Sequence, residues 1–87
     1  MRVETDAFIL GAEDIHSSKS GKDFTKIAFV IEGKFCSFFV SKKDGDAFRQ
    51  AKPFALLAKS GEPQKCVLTL DIDFTDRGTF TNVRGVQ

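Results

Sequence analysis

FTKIAFVIEGKFCSFFVS, Phe24–Ser41, decides the fold. Two apolar alternating runs flank Glu32-Gly33, and a glycine at the second position supplies the positive φ that a two-residue hairpin turn requires. That turn sets the register. Ile31 faces Lys34, Phe29 faces Cys36, Ile27 faces Phe38 and Thr25 faces Val40, giving one face with an apolar centre. Side chains alternate across a strand, so the opposite face carries Val30 beside Phe35, Ala28 beside Ser37, Lys26 beside Phe39 and Phe24 beside Ser41. Phe29 and Phe38 are expected in a core. Phe35 and Phe39 have three possible roles: stacking on a ligand, covering an open barrel side, or filling a subunit contact.

Outward from this hairpin, Val3–Ile15 reads as a strand interrupted by Gly11, which marks a bend or bulge. Ser17–Lys22 is small, polar and basic, hence a flexible loop. After the hairpin, Asp44–Ala51 is expected to be a helix capped by Asp44 or Asp46, with Phe48 and Ala51 three apart on one side. Pro53 breaks or restarts it, Phe54–Ala58 adds an apolar turn or two, and Ser60-Gly61-Glu62-Pro63 ends it. Gln64–Phe74 alternates: Cys66, Leu68, Leu70, Ile72 and Phe74 fall on one side, and Lys65, Val67, Thr69, Asp71 and Asp73 on the other. Asp76-Arg77-Gly78 forms a turn and Thr79–Val86 a closing strand. Three strands, a helical connection and two strands is the layout of an all-β, five-stranded OB-fold Greek-key barrel, which binds oligonucleotides on strands two and three and on the loops after strands one and four. An SH3-like barrel and an α+β sandwich have similar strand counts.

At 87 residues, 41% hydrophobic and 29% charged, the chain is expected to form one domain, residues 1–87. The N-terminus lacks an apolar leader and no apolar run has the length to span a bilayer, which predicts a soluble cytoplasmic protein with no membrane partner. Cys36 and Cys66 stand singly in apolar runs, so reduced thiols are expected. Net charge is +1 but unevenly spread: residues 1–15 carry −3, residues 16–43 carry +4, and residues 44–87 balance. A basic face on a nearly neutral molecule is therefore possible.

Enzymatic chemistry finds few of its required residues, and none is expected. His16 is the single histidine, the two cysteines have no CxxC spacing, and Ser20-Gly21-Lys22 lacks the first glycine and the following Ser/Thr of a phosphate-binding loop. Asp71, Asp73 and Asp76 read as solvated carboxylates in preference to a cation site. No cofactor and no metal are implied. Binding an unpaired nucleic acid strand needs another kit: outward rings for bases, cations for phosphates, and loops. The candidates are Phe24, Phe35 and Phe39 for stacking, with Lys19, Lys22, Lys26 and Arg77 for phosphates. Lys42, Lys43 and Arg84 are weaker candidates, and Phe74 and Phe80 lie near Arg77.

The chain resembles the small phage- and plasmid-type single-stranded-DNA-binding proteins, of which the filamentous-phage gene V type is the familiar member. The resemblance is carried by "MRVE", by the loop "SSKSGKDFT", by the hairpin "FVIEGKFCSFFV" and by the final strand "RGTFTNVRGVQ". It implies an OB-fold homodimer that coats single-stranded DNA during replication with little sequence preference. Residue by residue, it carries over to Lys22, Phe24 and Lys26. The chain departs from the family in using Phe where such proteins often use Tyr, and in the longer helical stretch Asp44–Ser60. A protein-interaction OB module and an RNA-binding domain are the competing expectations.

Overall fold

A computed structural model describes residues 1–87. Five strands form a single antiparallel sheet: β1 (Arg2–His16), β2 (Asp23–Ile31), β3 (Lys34–Ser41), β4 (Gln64–Thr75) and β5 (Gly78–Val86), in the order β3-β2-β1-β4-β5. Two short helices, α1 (Lys42–Phe48) and α2 (Lys52–Ser60), fill the β3–β4 connection. The sheet curls into a half-barrel because β1 is long enough to pair with two partners. Its N-terminal half pairs with β4 from Arg2↔Asp71 to Ile9↔Gln64, and its C-terminal half pairs with β2 from Phe8↔Val30 to His16↔Asp23. The register slips between Ile9 and Gly11, leaving Leu10 as the extra residue of a bulge beside the expected glycine. The edge strands β3 and β5 approach each other without a ladder between them.

All eight cross-strand pairs expected for the Phe24–Ser41 hairpin are observed. Glu32 has φ 52° and Gly33 φ 77°, so both central residues are left-handed, as a type I′ turn demands. The concave face holds the core: Ala7, Ile9, Ile27, Phe29, Val40, Cys66, Leu68, Leu70, Val83 and Val86, closed at one end by Phe54 of α2. Phe29 is fully buried, with its ring centroid 5.9 Å from that of Phe38. Phe38 itself is only half-buried: it lies on an edge strand whose far side carries no ladder partner.

One expectation is corrected. The first helix begins at Lys42, and its cap is Ser41, whose Oγ accepts from the Asp44 amide at 3.2 Å. Ser41 ends β3 in extended geometry, which an N-cap requires, and Asp44 instead lies in the first turn, favourable to the helix dipole. That helix ends at Phe48 rather than Ala51. Ala51 is the N-cap of α2, Pro53 occupies its first turn, and Gly61 closes it at φ 71°. Phe74 has the parity of the buried side of β4 yet is 69% exposed. The β1 ladder stops at Asp71, so beyond it the β4–β5 hairpin projects with nothing over its inner face.

Candidate nucleic-acid interface

The convex surface of β1, β2 and β3 presents rows set by the ladder. One row runs Phe35, Val30, Phe8, Lys65; the next Ser37, Ala28, Gly11; the third Phe39, Lys26, Glu13; the last Ser41, Phe24, Ile15. Phe35 is 65% exposed and Phe39 63%. Their positions four apart on β3 separate them by about 13 Å along the strand. Phe24 and Lys26 are half-buried on the same surface, one row apart.

The Ser17–Lys22 loop continues from this surface. It is more ordered than its composition suggests. Ser17 N–H donates to Lys22 O at 2.9 Å, Gly21 N–H donates to Ser17 O at 2.8 Å, and Gly21 takes φ 68°. At its base, His16 Nδ1 donates to Asp23 Oδ1 at 2.7 Å. Lys19 and Lys22 are exposed on this braced turn, immediately before Phe24. The structure therefore brings Lys22, Phe24, Lys26, Phe35 and Phe39 onto one connected surface, with Lys19 at its rim.

Arg77 lies elsewhere. It is exposed in the two-residue β4–β5 turn, at the opposite end of the β1 ladder from the loop, with the exposed rings of Phe74 and Phe80 on opposite faces of the hairpin behind it. Lys42 is occupied, since its Nζ contacts Asp46 at 2.7 Å and Asp14 at 3.5 Å, and these carboxylates hold the ammonium's pKa above its ordinary value. Arg84 pairs with Asp71 at 3.4 Å, and the N-terminal ammonium lies 3.8 Å from the same carboxylate. No three His, Cys, Asp or Glu side chains converge as metal ligands would.

Two residues of this surface escaped the sequence reading. Phe8, 49% exposed, stands between the buried Ala7 and Ile9. Its run Ala7-Phe8-Ile9-Leu10 is apolar throughout, so alternation gives no sign of which residues face out. Glu13 is the other, and its place on the Lys26 row follows from the bulge at Leu10, whose residue cannot be read from sequence. The surface is divided electrostatically. Lysines gather on β2 and the loop, whereas the N-terminal half of β1 and its partner β4 interleave Arg2 and Lys65 with Glu4, Asp6, Asp71 and Asp73 on the convex side, a small excess of acid.

Comparison of the chain with protein-family models, with curated proteins and with solved structures returns no match.

Proposed function

We propose that the chain is an OB-fold protein that binds single-stranded DNA without catalysis, stacking bases on Phe35, Phe39 and Phe24 and neutralising phosphates with Lys19, Lys22 and Lys26, with Arg77 as a separate contact at the β4–β5 turn. One observation carries it: two Phe rings on β3 are nearly two-thirds exposed on the same convex surface as Lys26 and the basic loop. Leaving large rings in water sacrifices about 1.5–3 kcal/mol of burial each, whereas base stacking returns about 1–3 kcal/mol per base. The OB assignment is supported by the strand order, by β1 shared between β2 and β4, and by the helices between β3 and β4. The homodimer implied by the family resemblance has a candidate contact in the projecting β4–β5 hairpin, with Phe74 and Phe80 exposed; sedimentation velocity reads it. A role in replication and a cytoplasmic location belong to the same proposal. No helix is long and apolar enough to cross a membrane.

Titration of fluorescent poly-dT at two salt concentrations, with RNA as competitor, tests the function. Saturable binding that weakens with salt is expected, and Phe35→Ala or Phe39→Ala should weaken it about five- to a hundredfold with unchanged melting temperature. RNA competing as well as DNA would widen the ligand class, because outward rings do not sense the 2′-hydroxyl. No binding at micromolar protein would favour the protein-interaction module.

A further inference from the structure

Between the ring-bearing rows lies a row without bulk: Ser37, Ala28 and Gly11 face one another across β3, β2 and β1. Ala28 and Gly11 of this row line an open cleft of about 300 Å³ together with Phe35, Leu10, Ala12, Lys26 and Glu13, a volume at the lower end for small-ligand pockets. Lys26 and Glu13 are opposite each other in the ladder, yet neither takes part in any of the chain's ion pairs. The Glu13 carboxylate is thus exposed at the cleft with no protein donor. A carboxylate there repels the phosphates that the neighbouring lysines attract, which is a cost for a binder indifferent to sequence.

We propose that this cleft holds one unpaired base and prefers a base with an exocyclic amine, cytosine among the pyrimidines, over thymine or uracil. The inference rests on the single-strand-binding function proposed above and departs from its lack of sequence preference. An ionised carboxylate only accepts hydrogen bonds. At ring position 4, cytosine N4–H₂ donates to it, whereas uracil and thymine present O4, a second acceptor, so a carboxylate set against that position loses water without gaining a bond; a carboxylate that shifts to the uracil N3–H regains one, and the preference then vanishes. Phe35 supplies the stacking wall for either base, Gly11 and Ala28 let the ring approach the sheet, and Lys26 reaches the adjoining phosphate.

Oligo-dC and oligo-dU of equal length confine the comparison to one edge, because the two bases differ only at position 4 and in the proton on N3, and neither carries a methyl group. Fluorescence anisotropy at mildly basic pH, where cytosine is unprotonated, is read for the wild type, Glu13→Gln and Phe35→Ala. The wild type should bind oligo-dC about five- to tenfold more tightly, the discrimination of roughly one hydrogen bond. Glu13→Gln, whose amide both donates and accepts, should bring the ratio close to one, chiefly by tightening oligo-dU. Phe35→Ala should weaken both. Equal wild-type affinities, with Glu13→Gln tightening both alike, would overturn the base preference and leave single-strand binding standing. A preference that survives Glu13→Gln would also overturn it, by placing discrimination elsewhere. No saturable binding to either oligonucleotide would remove the proposed function and this inference together.

Discussion

Gly45 shows how one hydrogen atom in place of a methyl group fixes a helix. It is buried in the middle of α1, and a Cβ there would overlap the side chain of Thr25, itself fully buried on β2. Helix propensity alone predicts that Gly45→Ala stabilises the protein by about 1 kcal/mol. Overpacking predicts a loss of about 1–3 kcal/mol. The overlap involves Cβ of Thr25 as well as its branches, so no rotamer relieves it and the steric effect wins. Thermal unfolding of Gly45→Ala should therefore show a lower melting temperature, and a rise would mean that α1 can lift off Thr25. A second residue-scale expectation concerns the thiols. Both cysteines are free. Burial, with the Asp6 carboxylate adding to it, pushes the Cys66 thiol up to about 11, so it stays protonated at neutral pH and thiolate chemistry there is suppressed. Iodoacetamide should modify the half-buried Cys36 first and reach Cys66 only on unfolding, a difference that intact-mass spectrometry resolves.

At the scale of elements, α1 is held to the sheet by Asp14. Its carboxylate accepts from Thr25 Oγ1 at 3.1 Å and from Arg49 Nη1 at 3.2 Å, and Lys42 Nζ lies 3.5 Å away. The Arg49 hydrogen bond above all holds the Asp14 carboxyl below its ordinary value of 3.8, aided by Thr25 and by the charges of Arg49 and Lys42, against partial desolvation. A carboxylate with a depressed folded-state pKa stabilises the fold above its unfolded pKa, and that contribution fades as pH falls through the folded value. Wild type should thus exceed Asp14→Asn in melting temperature at neutral pH, and the gap should narrow below about pH 4, as circular dichroism melts at several pH values would record. A constant gap would make the contact insensitive to charge. The elements differ in how far sequence reveals them. The β2–β3 register was readable because a period of two and one Gly-bearing turn determine it together. The helix cap was misassigned because Ser41 looks like a strand residue until the chain is seen to turn there. The exposure of Phe74 is not legible for a different reason: alternation gives a side chain's parity, but burial depends on how far the neighbouring strand extends. Glu13 and Phe8 needed the β1 bulge to be located, which composition does not do.

The whole molecule is nearly neutral, so any affinity for a polyanion must come from how its charge is arranged. On the convex side, the half built from β2, β3 and the loop is basic, whereas the half built from the start of β1 and from β4 sets Arg2 and Lys65 among Glu4, Asp6, Asp71 and Asp73 and has a small excess of acid. A bound strand should then follow the basic half and avoid Glu4 and Asp6. Counterion release makes this measurable, since each phosphate neutralised on a single strand contributes about 0.7 to the slope of log affinity against log salt. If Lys19, Lys22 and Lys26 all touch phosphate along this path, the wild-type slope is roughly −2. Lys22→Ala should make it shallower by about 0.7, weakening binding to every sequence alike. Glu4→Lys should leave the slope nearly unchanged, because the new cation stands where no phosphate passes and screening over about 10 Å at moderate salt removes its distant influence. A slope that steepens with Glu4→Lys and ignores Lys22→Ala would route the strand across the other half of the sheet, away from Phe35, Phe39 and the cleft beside Glu13.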